Sequence, residues 1–323
     1  MKLNKYIDIV EEHLASYNFG DQPSELYEPI KYILSLGGKR LRPVLTLMTC
    51  QLFDDHILKA IYPALGVEVF HNFTLLHDDI MDNAPIRRGK ETVHEKWNDN
   101  VAILSGDVML VKTYDLFLKS NHKDLQKILS KFNKCAAEVC EGQQYDMNFE
   151  TRDLVTENEY LEMIQLKTAV LLGFAIELGA IIGGANEIAS NQLYDFGLNI
   201  GLGFQLKDDL LDVYADSDKF GKQVGGDIIS NKKTYLLIKA LELSQGKIKE
   251  DLNFWLNKKE FIPDEKVAAV IKIYNKLGIK TLSEKKMNEY FDRGLAILNS
   301  LDIDGDKKEP LSNLTLKLID REK

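Results

Sequence analysis

Apolar residues recur at three- and four-residue spacing along most of the chain, the period of an amphipathic helix, as in Leu154, Tyr160, Met163, Ile164, Leu166, Val170 and Leu171. No segment reads as a credible strand, and only seven prolines interrupt the pattern. The periodicity predicts helices near 2–17, 24–36, 43–54, 57–83, 100–119, 122–149, 188–215, 231–244, 264–275 and 284–299. A further, unusually long helix is predicted from Thr156 to about Ile182. Thr156 with Glu159 reads as a capping box at its start, and Gly183-Gly184 as its end. Long helices joined by short polar connections, several of them apolar around much of their circumference, predict an all-α fold. The expected architecture is a single large helical bundle whose central helices are buried on most sides. No Pro/Ser-rich linker divides the chain, so residues 1–323 read as one domain.

Composition supports this picture. With 323 residues and 45% hydrophobic content, the chain can bury a large core without disulfides or metals. Its three cysteines, Cys50, Cys135 and Cys140, form no Cys-x-x-Cys pair, which argues against a disulfide framework or a zinc site and favours a reducing cytoplasm. The first residues mix charge into the apolar pattern and lack the form of an export signal. The most apolar stretch, Ala169 to Ala185, is short for a bilayer and contains Glu177, so it reads as a buried helix rather than a membrane span. A net charge of −9 repels a phosphate backbone and argues against nucleic acid as a partner.

Two five-residue segments carry the candidate chemistry: Asp78-Asp79-Ile80-Met81-Asp82 and Asp208-Asp209-Leu210-Leu211-Asp212. Each falls near the end of a long predicted helix. Residues four apart share a helix face, so Asp78 pairs with Asp82 and Asp208 with Asp212, and like charges at that spacing are destabilising without a counterion. Carboxylate pairs suit Mg²⁺, which completes its octahedron with water and phosphate oxygens. A solvated acidic surface is the plainer reading and fits Asp54-Asp55, but the recurrence of the spacing argues against it here.

Basic residues cluster where an anion would need them. Gly37-Gly38-Lys39-Arg40-Leu41-Arg42-Pro43 reads either as an anion cradle or as a helix cap with basic side chains on the dipole. Arg87-Arg88-Gly89 follows the first motif, and Lys222 and Lys232 follow the second. Lys167-Thr168 lies mid-helix in an apolar context, where a phosphate partner would account for a lysine. His71 stands two helical turns before Asp78 and fits a phosphate donor or a core histidine equally. Gly201 and Gly203 read as sites of close helix packing, since no strand precedes them to make a dinucleotide loop.

Taken together, Gly-Gly-Lys-Arg-x-Arg-Pro, an aspartate-rich motif followed by Arg-Arg-Gly, Lys-Thr, and a second aspartate-rich motif preceded by Gln205 resemble the trans-isoprenyl diphosphate synthases, the polyprenyl synthetase family. The resemblance runs from about Gly37 to Thr234 and implies an all-α bundle around a deep central cavity. It implies a prenyltransferase that joins isopentenyl diphosphate to an allylic diphosphate (dimethylallyl, geranyl or farnesyl). It assigns Lys39, Arg42, His71 and Arg88 to isopentenyl diphosphate, and Arg87, Lys167, Thr168, Gln205, Lys222 and Lys232 to the allylic diphosphate. The resemblance also implies that backbone and side-chain dipoles at Lys167, Thr168 and Gln205 help to stabilise the allylic cation. Asp78, Asp82 and Asp208 become direct ligands of three Mg²⁺, with Asp79, Asp209 and Asp212 supporting them. A homodimer is expected from the family. One departure is Asn231, where the family usually has Gly before the lysine.

Product length falls to Phe73 and Thr74, one turn and more before the first motif. By the resemblance, the bulky Phe73, five residues before Asp78, implies a short product: C20, with C15 or a longer chain as alternatives. The rival readings are a terpene cyclase, which would not need the Lys39 and Arg42 cradle, and a non-catalytic regulatory subunit, which would be expected to show eroded aspartates. The tail residues Arg321 and Lys323 read as a frayed terminus rather than a closing strap.

Overall fold

The computed structural model describes residues 3–215 and 225–320. It is helical almost throughout, and the described residues include one pair of two-residue strands, so the all-α expectation holds. Lys222, Arg321 and Lys323 lie outside the described residues. Contacts divide the chain into two compact units, one of Met1–Phe132, Phe174–Asn191 and Ile303–Leu311, the other of Asn133–Gly173, Gln192–Asp302 and Ser312–Lys323.

In the first unit the Ile61–Met81 helix packs along the Asp99–Leu118 helix, with the Leu3–Ser16, Ser24–Ser35 and Leu41–Phe53 helices around them. Phe70, Phe117, Phe132 and Phe174 interlock edge to face or tilted, with centroids 4.8–6.1 Å apart along this cluster, and all four are buried. Thr46 donates to the carbonyl of Ala175 at 2.8 Å, and a methyl added at Gly179 would fall 2.1 Å from the Thr46 carbonyl oxygen. Two helices therefore touch backbone to backbone there. The acid inside the apolar stretch, Glu177, is buried and paired with Lys131 at 2.7 Å. The most apolar window of the Glu157–Gly183 helix is 78% buried, as in the core of a globular protein.

Arg40 anchors the glycine-rich loop of this unit. It is 2% exposed, adopts a left-handed conformation with φ 46°, and donates to Glu68 at 2.8 Å, to Glu11 at 2.8 Å and to the carbonyl of Leu34 at 2.7 Å. The cradle expected to offer three cations thus turns one of them inward as its fastening.

In the second unit the Glu187–Tyr214 helix runs beside the Gln165–Ala169 turn and the Ile279–Ser300 helix. Methyls added at Gly201 and Gly203 would lie 2.6 Å from Ala169 Cα and 2.9 Å from the Phe291 ring, as the packing reading of these glycines expects. The capping box at Thr156 is present, and Gly184, with φ 96°, closes the helix end. Between these ends, residues Gln165–Ala169 form one π-helical turn. The helix expected from 231 starts only at Tyr235, because Asn231 is left-handed at φ 55° and Thr234 is extended. The Gly246–Asn257 and Gly305–Ile319 helices have no counterpart among the expected elements.

Removing one partner of a buried charge pair leaves the other uncompensated. Glu68→Ala should therefore lower stability by about 3 kcal/mol, and Glu11→Ala, at the half-exposed partner, by under about 1 kcal/mol. Urea denaturation of the two variants checks the order; equal effects would show that Glu68 does not hold Arg40.

Candidate functional site

The first aspartate motif closes the Ile61–Met81 helix. Asp78 is half-buried and Asp82, the capping residue, is exposed. Asp79 turns inward, 3% exposed, and takes a forked contact from Arg87, with Nε 2.9 and 2.8 Å from its two oxygens and Nη2 2.8 Å from Oδ1. That contact fastens a hairpin, Ile86–Arg87 against Lys90–Glu91, whose turn residues Arg88 and Gly89 both have positive φ. Arg88 reaches from the turn to donate to the Gly37 carbonyl. Its guanidinium covers Gly38, where an added methyl would lie 2.9 Å from it. Gly38 itself has φ 142°. That conformation is what favours glycine at 38.

Arg42, in the first turn of the Leu41–Phe53 helix, stands with Nη1 3.2 Å from His71 Nε2. Burial first, and then the charges of Arg42, Arg88, Arg87 and Arg40, hold His71 well below its usual pKa. It is neutral at pH 7, and since arginine only donates, its Nε2 accepts. Lys39, Arg42, His71 and Arg88 all belong to this unit, and Lys39 is exposed at its edge. The structure gathers the guanidinium groups of Arg42 and Arg88 around a neutral His71, a field of positive charge that suits an anion.

The second motif lies in the last turns of the Glu187–Tyr214 helix. Its inward carboxylate, Asp209, accepts from the Tyr160 hydroxyl and from Gln205 Nε2 at 3.1 Å. Gln205 in turn accepts from Thr168 Oγ1 at 3.1 Å. Asp212 accepts from the backbone N–H of Asp227 at 3.0 Å, which ties the helix to the segment carrying Lys232. Asp208 is half-buried.

Lys167 and Thr168 sit in the π turn, where the N–H of Val170 bonds back to the carbonyl of Gln165. Such turns widen a helix locally and recur at functional sites. Lys167 donates to Asp146 at 2.7 Å, and Lys232 lies 3.7 Å from the same oxygen. One turn before Asp146, Gly142 allows the two backbones to meet; an added methyl would fall 2.2 Å from Lys167 N. Asp146, Tyr160 and Asp227 were not among the expected site residues. Gly142, in the middle of a helix where glycine costs about 1 kcal/mol relative to alanine, marks a close approach of backbones near Asp146 but names no partner for it.

These donors fit a hard divalent cation. Each motif offers carboxylates four residues apart, and among the described residues no group of three or more acidic, His or Cys side chains forms a complete cage. A partial set suits an ion that draws its remaining ligands from water and phosphate.

Burial and the charge of Asp227 push Asp209 up to about 8, against the pull of Tyr160, Gln205 and Lys232. An unfolded carboxyl ionises near pH 4. The folded state therefore binds more protons between about pH 4 and about pH 8, and its stability falls as pH rises through that window. In EDTA, the melting temperature of the wild type should fall more steeply from about pH 5 to about pH 8 than that of Asp209→Asn. Equal slopes would show Asp209 to be ionised in the folded protein.

The chain resembles known proteins over most of its length. The profile of the family described as Polyprenyl synthetase matches residues 23–275. A geranylgeranyl diphosphate synthase of Methanosarcina mazei is 42% identical over 223 residues, 68% of this chain and 69% of that protein. A geranylgeranyl pyrophosphate synthase of Geoglobus acetivorans is 35% identical over 314 residues, covering 97% of this chain and 94% of its own length. A crystal structure of geranylgeranyl pyrophosphate synthase superposes with a TM-score of 0.95 at 44% identity over 100% of both chains. Enzymes of this kind use a divalent metal and isoprenyl diphosphate substrates. The chain therefore belongs to the polyprenyl synthetase family and is a prenyltransferase.

Proposed function

We propose that the enzyme condenses isopentenyl diphosphate with an allylic diphosphate, in steps, to geranylgeranyl diphosphate. The observation that carries this reading is the division of the cations into two sets. One surrounds a neutral His71 and suits a diphosphate held without metal; the other, Lys167 and Lys232, converges on Asp146. Lys39, Arg42, His71 and Arg88 hold isopentenyl diphosphate. Lys167, Lys232, Thr168 and Gln205 hold the allylic diphosphate, with Lys222 and with Arg87, which Asp79 already fixes in place.

Asp78, Asp82 and Asp208 are proposed as ligands of three Mg²⁺, with Asp79, Asp209 and Asp212 supporting them; Mg²⁺, when bound, offsets the charge of the departing diphosphate. Lys167 and Lys232 stabilise the same charge from the protein side. The Thr168 hydroxyl and the Gln205 carbonyl present dipoles toward the cationic allyl group. Attack by the isopentenyl double bond forms the new carbon–carbon bond and leaves a tertiary cation. The adjacent C2–H bond then breaks, its electrons form the new double bond, and the released diphosphate takes the proton, so no protein base is needed.

Phe73 sets the product length. It lies between Phe70, 5.6 Å away, and His77, 4.7 Å away, and is only half-buried; Thr74, beside it, donates to the His71 carbonyl at 2.8 Å. An aromatic ring one turn and more below Asp78 blocks a tail that grows toward it. Names of relatives ending in geranylgeranyl diphosphate synthase agree with a C20 product.

Both compact units are proposed to act as one synthase domain over 1–323, since the family profile spans residues of each. The enzyme is proposed to be a cytoplasmic homodimer without a membrane span. Leu104, Val111 and Leu118, at 57%, 60% and 53% exposure and seven residues apart on one helix, offer an apolar stripe for a second copy.

Purified protein supplied with Mg²⁺, isopentenyl diphosphate and labelled allylic primers should yield a dominant C20 product. Asp78→Asn should lower kcat at least about 100-fold, and Phe73→Ala should shift the product to C25 or beyond. A wild-type product of C30 or longer would sink the steric role of Phe73, and failure to consume isopentenyl diphosphate would sink the reaction itself.

A further inference from the structure

Lys266 is 1% exposed, in the first turn of the Pro263–Leu277 helix. A lysine is among the residues least often buried, and burial costs heavily unless its ammonium is satisfied. Its partners are specific. Nζ donates to the Ile229 carbonyl at 3.0 Å and to Asn231 Oδ1 at 2.7 Å, and it stands 4.3 Å from the centre of the Phe261 ring. Burial holds its pKa below the usual lysine value, yet the ammonium keeps two oxygens and an aromatic face.

Both oxygens come from the segment that follows the second aspartate motif. Ile229 ends the Gly226–Ile229 helix, whose three earlier carbonyls accept from the backbone N–H groups of Ser230, Asn231 and Lys232. Asn231 is left-handed at φ 55°, a conformation that glycine adopts most easily and that asparagine tolerates. It is also the position at which this chain departs from the glycine its motif leads one to expect. The asparagine adds what glycine lacks: Oδ1 accepts from Lys266, and Nδ2 donates to the Leu256 carbonyl at 3.0 Å. The turn is thus tied to two other helical segments. The next residue is Lys232. Its N–H bonds to the Asp227 carbonyl at 2.9 Å, and the N–H of Asp227 bonds to Asp212 at 3.0 Å. The same helix turn meets the segment a second time, since a methyl added at Gly225 would lie 2.7 Å from the side chain of Val267.

We infer that Lys266 is a positioning residue: through Asn231 it fixes the turn that presents Lys232, and so tunes affinity for the allylic diphosphate without touching it. The inference rests on the assignment of Lys232 to that substrate. The chain has exchanged the backbone freedom of a glycine for a side-chain tether, and the buried lysine is the other half of the exchange.

Initial rates of the full chain with Mg²⁺ are to be measured against each substrate, with the other saturating, for wild type, Lys232→Ala, Lys266→Met and Asn231→Gly, with melting temperatures alongside. Lys266→Met should raise KM for the allylic diphosphate about fivefold and leave KM for isopentenyl diphosphate unchanged. Asn231→Gly keeps the turn and severs both anchors, so it should raise the allylic KM about threefold. The double variant should raise it by less than the product of the two single effects, because the two changes share the Lys266–Asn231 contact. Lost folded protein alone would lower kcat with either substrate varied and would not raise one KM selectively. If Lys232→Ala raises the allylic KM while Lys266→Met and Asn231→Gly do not, the tether is overturned and the role of Lys232 stands. If Lys232→Ala also leaves that KM unchanged, both the assignment and the tether fall. Where Lys266→Met does not fold, Asn231→Gly decides alone, by the presence or absence of the selective rise.

Discussion

Two adjacent residues on a helix diverge by about 100°, so an Asp-Asp pair cannot face one way. When the first carboxylate of each motif faces a substrate, the second must turn into the protein and find a partner there. Asp79 meets the guanidinium of Arg87, while Asp209 meets a phenol and an amide, with Asp227 close enough to raise its affinity for a proton. The rest of the site depends on these inward contacts. Asp79 holds the hairpin from which Arg88 reaches Gly37, and Asp209 joins Gln205 and Thr168 into one chain of hydrogen bonds. The repeated motif is therefore a repeated way of orienting a helix end, with a different anchor in each copy.

A protein of net charge −9 can hold anionic substrates only where its cations are concentrated. The concentration is built by close approach of backbones rather than by a run of basic residues. Gly38 admits the Arg88 guanidinium, and Gly142 admits the backbone of Lys167. Arg40 is spent differently: its charge is neutralised by Glu11 and Glu68, and what it contributes is the shape of the loop between Lys39 and Arg42. Neutral His71, held so by burial and by the arginines around it, adds a polar contact to that field without adding charge.

Much of this could be read along the chain because helices write their period into the sequence. The Thr156 capping box, the glycine end at Gly184 and the burial of the Ala169–Ala185 stretch all follow from local pattern. The π turn at Gln165–Ala169 does not, since one extra residue in a turn leaves the apolar pattern on both sides intact. The Gly246–Asn257 and Gly305–Ile319 helices escaped because their buried stripes are thin and their sequences polar. Asp146 and Tyr160 escaped for another reason. Each lies far along the chain from the side chains it touches, and nothing in the immediate neighbours of a lone Asp or Tyr reports a partner found only by folding.

Control of product length places a different demand on the structure than chemistry does. A metal ligand needs its oxygen in the right place, but a floor under a growing hydrocarbon must also resist being pushed aside. A lone Phe73 could rotate about its side-chain bonds and yield. Its ring is instead held edge to face against His77, and His77 is held by the carbonyl of Ile103 at 3.3 Å and by Gly106, where any side chain would collide with the imidazole. On its other side Phe70 is locked into the buried cluster of Phe117, Phe132 and Phe174. If Phe73 is that floor, as proposed, its stiffness comes from residues outside the motif and from a second helix. On the proposed role of Phe73, loosening that stack by substitution at Phe132, outside both aspartate motifs, would soften the block and lengthen the product.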